Sequence, residues 1–227
     1  MKKNQEKLFI EQQADAYFDR NFTKGIQAAS KEHKIIQLIK TIDLPKTGNL
    51  IDLGGAVGSV AAGIIKICPD WKGTVLEPSQ KATKAGSKIF PWIDFICGSV
   101  AKKKDMPNKV FDLAIISMVF SWIDRSLLSQ AIANIDSLVK PSGYIIIRDF
   151  YTPFPRANNY HHKDGIFTYK QDYTSPFKSL NIYTEIYRES GPVKHSNFDN
   201  NDPYDDWTLT SVLQKDLFDR YRRNIIK

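Results

Sequence analysis

From Asn49 onward, short apolar runs alternate with amphipathic helical stretches, and this rhythm constrains the fold more than any other feature of the chain. The runs at 50–53, 73–76, 93–96, 113–117 and 144–147 predict strands, and the stretches at 59–67, 80–87 and 127–138 predict helices. Strands that are apolar throughout and separated by helices call for a mainly parallel sheet, buried on both faces. Lys140-Pro141-Ser142-Gly143 stops the third of these helices and turns the chain into the fifth strand.

The flanks are organised differently. Helical spacing runs through about 7–37, carried by Leu8, Phe9, Ala14, Tyr17 and Phe18 and later by Ile26, Ile35, Ile36, Leu38 and Ile39. Pro45-Lys46-Thr47-Gly48 then punctuates the chain, which sets a helical segment over 1–45 apart from an α/β domain over 46–227. Beyond Asp149, residues 151–173 are aromatic, polar and proline-bearing, and read as an ordered loop or lid rather than a strand or helix. A short helix near 175–179, strands near 182–187 and 207–213, and a basic tail over 214–227 complete the order. The last two strands are expected to form an antiparallel hairpin at the sheet edge.

Composition narrows the class. A chain of 227 residues suits one α/β domain that buries about 70% of its unfolded surface. No apolar run approaches the ~20 residues of a membrane span, and Met1-Lys2-Lys3-Asn4-Gln5-Glu6-Lys7 turns polar where a signal peptide needs an apolar stretch. Cytoplasmic residence without a membrane partner is the expectation. Cys68 and Cys97 lie far apart without metal-type spacing, so both are expected to be buried thiols, and no metal site is expected. The net charge of +7 is scattered, dense only at Lys102-Lys103-Lys104 and at Arg220, Arg222 and Arg223. Asp199, Asp202, Asp205 and Asp206 break the field, so generic solubility and a polyanionic partner both stay open.

The chemistry concentrates at Asp52-Leu53-Gly54-Gly55-Ala56-Val57-Gly58, where the first strand runs through small residues into a helix opening at Ser59. Small residues permit a tight turn and close approach of the backbone to a ligand. The helix N-terminus directs free N–H groups and positive dipole at it. Asp52 is placed to fix the turn or a cationic ligand group. Glu77, at the end of the second strand and before Pro78, lies where nucleotide-binding α/β folds accept both ribose hydroxyls, roughly 20 residues past the glycines. A carboxylate capping the helix that starts near Ser79 is the alternative. Together the two features predict an adenosine-type ligand across the strand ends.

Gly54, Ala56 and Gly58 fall at every second position after an acidic residue, a spacing that resembles motif I (acid-x-Gly-x-Gly-x-Gly) of class I S-adenosylmethionine-dependent methyltransferases. Ala56 departs from that pattern, and Gly55 occupies its variable place. The resemblance extends through Phe95-Ile96-Cys97-Gly98-Ser99-Val100, where Ser99 stands at a place the family often gives to an Asp that bonds adenine. It continues through Phe111–Ser117 with Met118 to Trp122, similar to motif IV, and through the Pro141-x-Gly143 entry to strand five. The resemblance implies a Rossmann-like, seven-stranded, mostly parallel sheet with helices on both faces and an antiparallel strand near the edge. It also implies S-adenosylmethionine as cofactor, held by Tyr17, Asp52, Gly54, Gly55, Ala56, Gly58, Glu77, Pro78, Ser99, Val100, Ser117 and Met118. The 1–45 segment becomes a lid and 150–175 an acceptor-binding insertion.

Ligands of open α/β sheets lie beyond the carboxyl ends of the strands, so Trp122, Tyr151, Tyr160 and Lys170 are candidate acceptor contacts. Asp149, His161 and His162 are candidate catalytic groups, with pairing to Arg148 and plain solvation as their respective alternatives. The compact chain and the polar aromatic loop favour an O- or N-methyltransferase of a small-molecule or glycan acceptor, working as a monomer or homodimer. The basic tail keeps an RNA methyltransferase as the alternative, and Ala56 and Ser99 keep a non-catalytic S-adenosylmethionine- or nucleotide-binding module open. A nicotinamide-dependent oxidoreductase is disfavoured by the glycine spacing and by the absence of Tyr-x-x-x-Lys.

Overall fold

In a computed structural model, residues 5–22, 25–192 and 207–217 are described, and the basic tail beyond 217 and the acidic positions 199–206 lie outside that set. Five strands, β1 (Gly48–Leu53), β2 (Trp71–Glu77), β3 (Ile93–Cys97), β4 (Phe111–Ser117) and β5 (Val139–Phe150), pair in parallel in the order β3-β2-β1-β4-β5. Helices α4 (Ser59–Ile67), α5 (Gln80–Ile89) and α6 (Leu128–Leu138) alternate with them. The helix expected over 59–67 has those bounds, while the strands run past the expected ones by a few residues because strand pairing extends beyond the apolar runs.

Side-chain alternation divides the core in two. Leu50, Leu113, Ile115 and Ile146 join α4 and the helix α3 (Lys34–Ile39) on one face. Ile51, Leu53, Ala114, Ile116, Ile145 and Ile147 join α6, Phe120 and Phe177 on the other. Strands this apolar on both faces have no stable place except between two helical layers. The predicted helical segment at the N-terminus therefore splits by role. Residues of α3 are packed into the core, with Ile35 and Ile36 almost wholly buried. The preceding run of α1 (Gln5–Leu8), a π-helical turn (Phe9–Gln13) and α2 (Ala14–Asn21) lies over the strand ends.

After β5 the chain makes a two-stranded antiparallel ribbon, β6 (Arg156–Asn159) with β7 (Phe167–Lys170). This corrects the expectation of a strandless loop over 151–173. Tyr160 N–H bonds the Ile166 carbonyl, Gly165 takes φ +80°, and Gln5 clamps the backbone of Phe167. The turn chemistry is local, but the clamp comes from the other end of the chain. Then α7 (Ser175–Ser179) leads into β8 (Tyr183–Pro192) and β9 (Trp207–Lys215). β9 inserts antiparallel between β5 and β8 and completes a seven-stranded sheet.

The cysteines also depart from expectation. Cys68 is half-buried and Cys97 is exposed. Cys97 ends β3, the edge strand, which has a strand neighbour on one side alone.

Candidate active site

The strand order reverses beside β1: the chain steps outward to β2 and β3, then returns across β1 to β4. Crevices form at such a switch point beyond the carboxyl ends of the strands. Here a cavity of about 370 Å³ opens, walled by the ends of β1 to β4 and roofed by α1, the π-helical turn and α2. Tyr17, Asp52, Gly54, Gly55, Ala56, Glu77, Pro78, Ser99, Val100, Ser117, Met118 and Trp122 all line it.

The loop after β1 is shaped by its neighbours. Gly54 has φ +72°, and a Cβ there would lie 2.4 Å from Val119 Cγ2. Gly55 needs no special φ, yet a Cβ would lie 2.6 Å from Asp52 Cγ. Ala56 occupies left-handed space at φ +48°, a conformation that costs an L-residue about 1–2 kcal/mol. Gly58 caps α4 from behind the wall at φ +78°, where Phe95 would strike a Cβ at 2.8 Å. It shapes the loop without lining the cavity.

Two carboxylates face each other across this loop. Asp52 is 1% exposed, and its Oδ2 has no hydrogen-bond partner. Burial, reinforced by the Glu77 charge, pushes its carboxyl up to about 7 against the pull of the Ala61 N–H. Glu77 accepts the N–H of Ala56 at 3.0 Å and of Ser79 at 2.9 Å. Burial pushes it up to about 7 as well, with those two N–H groups opposing and Asp15 adding repulsion. An orphaned carboxyl oxygen beside a second carboxyl group, in a cradle with no room for side chains at Gly54 and Gly55, suits a ligand that carries positive charge and hydroxyl donors. S-adenosylmethionine has both, so the residues present fit it.

The roof is fastened at several points. Asp15 accepts Ser79 Oγ–H at 2.6 Å and Lys81 N–H at 3.1 Å, and Asp19 pairs with Lys81. The Gln5 side chain bonds the carbonyls of Trp122 and Phe167 and accepts the Phe167 N–H. Glu6 accepts a hydrogen bond from Ser99 Oγ. Phe9, Ile10, Phe18 and Phe22 supply an apolar ceiling.

Other predicted residues lie elsewhere. Asp149 is 1% exposed and sits beneath the β4 loop, accepting N–H groups from Val119 (2.9 Å), Ser121 (3.4 Å) and Phe150 (2.8 Å). Its carboxyl is raised by burial, and those bonds hold it down. It supports the wall and does not reach the cavity. The His161 and His162 rings lie 3.9 Å apart, tilted by 48°, on a shallow outer cleft with Leu8 and Gln12. Tyr160 meets the edge of Trp122 at 4.8 Å and accepts Arg20 at 3.0 Å, joining ribbon, wall and roof. Tyr151 lies under Arg188, and Lys170 is buried over the Phe150 ring. Neither lines the cavity.

Nothing local in the sequence marks His33 as a site residue. It lines the cavity, and its Nδ1 is buried without a partner. Burial, aided by the Arg148 charge, holds the imidazole below its usual range. Among the described residues no cluster of His, Cys, Asp or Glu could hold a metal, and no helix is long and apolar enough to cross a membrane.

Comparison with known proteins agrees with this geometry. A family model of O-methyltransferase domains matches residues 4–171. The fold is similar to 1,6-didemethyltoxoflavin-N1-methyltransferase from Burkholderia thailandensis, solved with 1,6-didemethyltoxoflavin and S-adenosylhomocysteine (TM-score 0.69, 14% identity, 96% of this chain and 92% of that one). It is also similar to the N-methyltransferase NodS from Bradyrhizobium japonicum WM9 in complex with S-adenosylhomocysteine (TM-score 0.54, 14% identity, 94% and 99%). The tRNA N(3)-cytidine methyltransferase METTL2B of Homo sapiens is 24% identical over 114 residues, 46% of this chain, which spans 30% of that relative's length. With the family match covering most of its length, the chain belongs to the O-methyltransferase domain family, with a class I methyltransferase fold and S-adenosylmethionine as methyl donor.

Proposed function

We propose that this protein methylates an oxygen or nitrogen of a small-molecule acceptor held between the roof and the β4 loop. The observation that carries this reading is the enclosure of the cavity by Phe9, Phe18, Phe22 and Trp122. Aromatic side chains on the cavity wall select a compact, flat acceptor and exclude water around it. S-adenosylmethionine supplies an electrophilic sulfonium methyl; the remaining tasks fall to the chain. Asp52 meets the ligand's cationic end, Glu77 its ribose hydroxyls, and Ser117 and Met118 the floor beside the acceptor. In-line placement of two reactants supplies most of the rate in such a transfer.

His33 is the nitrogen base on the cavity wall, uncharged near neutral pH because its pKa is lowered. We assign it the acceptor's proton when the nucleophile must lose one. His33→Gln is expected to lower methyl transfer about 100-fold and to remove the acid limb of its pH profile, with cofactor affinity kept. An unchanged pH profile would remove His33 from the mechanism.

The RNA alternative draws on the tRNA methyltransferase relative and on the net charge of +7. Incubation with S-adenosylmethionine labelled in the methyl group, against a low-mass metabolite extract and against total tRNA, separates the two. Label in the low-mass fraction supports the present reading; label in tRNA replaces it.

A further inference from the structure

We propose that Glu6 is a specificity-determining residue for the cofactor's base, its carboxylate taking a hydrogen bond from the exocyclic amine of adenine. This rests on the cofactor reading above. The cavity runs from Asp52 past Glu77 to the end of β3, where Gly98, Ser99 and Val100 form the wall. With the ribose at Glu77, the base lies toward that end.

The polar groups of Ser99 there are already committed. Ser99 N–H donates to Asp105 Oδ2 at 2.9 Å. Ser99 Oγ accepts the N–H of Ala101 at 3.2 Å and donates its own hydrogen to Glu6 Oε1. The serine hydroxyl therefore has no proton left for a ligand, and its job is to hold the glutamate. Glu6 itself is 7% exposed and lines the cavity. In its ionised form the carboxylate accepts and cannot donate. Adenine brings an amine hydrogen to this position; hypoxanthine brings a carbonyl oxygen, which the carboxylate repels.

Position is secured from both sides. Gln5, the preceding residue, is 3% exposed and makes three side-chain hydrogen bonds to Trp122 and Phe167, besides giving its N–H to Asp124 at 2.9 Å. Glutamates are seldom this buried without a counter-charge in contact; burial raises the Glu6 carboxyl, and the Ser99 hydrogen bond and the Lys102 charge oppose it. A ligand donor completes the arrangement.

Calorimetry with S-adenosylhomocysteine and with S-inosylhomocysteine, its 6-oxo analogue, tests this on the full chain. The unmodified protein is expected to prefer the adenine ligand about 10- to 100-fold. Glu6→Gln is expected to shrink that preference to about threefold or less, because an amide can donate to the carbonyl as readily as it accepts from the amine. A purely structural role for Glu6 would lower both affinities and leave their ratio intact. Equal affinity of the unmodified protein for the two ligands, or an unchanged ratio in a folded Glu6→Gln variant, overturns the proposal while the cofactor site stands. Failure of the unmodified protein to bind either ligand overturns the cofactor reading and this inference with it.

Discussion

At the scale of single residues, the loop after β1 shows how small side chains act for different reasons. Ala56 departs from the family's glycine and sits at φ +48°. Ala56→Gly relieves backbone strain but loosens the unfolded chain, and the two effects are each about 1 kcal/mol. The melting temperature is expected to move by a few degrees at most, with cofactor affinity kept or improved, as scanning fluorimetry and calorimetry would show. Gly55 resembles a variable position, yet a methyl there would enter the Asp52 carboxyl. Gly55→Ala is expected to weaken S-adenosylmethionine at least about tenfold by displacing that carboxyl, and Glu77→Gln to weaken it about 10- to 100-fold. Wild-type affinity in either variant would separate that residue from the ligand. The acidic residues at 52 and 77 were legible from spacing alone. The steric need at Gly55 was not, because it depends on which way Asp52 turns inside the fold.

At the scale of elements, the N-terminal helical run acts as a clamp over the cavity. A π-helical turn at Phe9–Gln13 lies in its middle, a feature that recurs at functional sites. Its polar fastenings include Gln5 to the β4 loop and β7 and Asp15 to the start of α5. The double variant Gln5→Ala, Asp15→Ala is expected to release bound S-adenosylhomocysteine about tenfold faster or more, measured by stopped-flow displacement, with the far-ultraviolet circular dichroism unchanged. An unchanged release rate would make these fastenings irrelevant to the ligand. Helical spacing revealed the run, but its division into a roof and the buried α3 came from packing. The ribbon β6–β7 was hidden for a similar reason. Its strands are four residues each, and Gln5, 162 residues earlier in the chain, holds one of them.

At the scale of the whole molecule, two buried carboxylates with pKa values of about 7 link stability and ligand binding to pH. Each value stands above that of the unfolded chain, near 4. The native state therefore holds extra protons between about pH 4 and 7, so this pair's contribution is full below that window, falls as pH rises through it, and is level beyond. A cationic ligand prefers the ionised pair, so its affinity rises across the same window. The increase in melting temperature caused by S-adenosylmethionine is expected to be larger at pH 8 than at pH 6; equal shifts would mean that no cation meets these carboxylates. The sequence by itself determined the five parallel strands with their three intervening helices, the tight loop and the acid at the end of β2, because apolar period and turn chemistry are written in neighbouring residues. Tertiary structure decided which side chains share the cavity. Glu6 meets Ser99 across 93 positions, Asp149 turns under the wall, and the paired histidines fall outside. Those outcomes follow from how distant elements pack, and no local pattern in the chain encodes them.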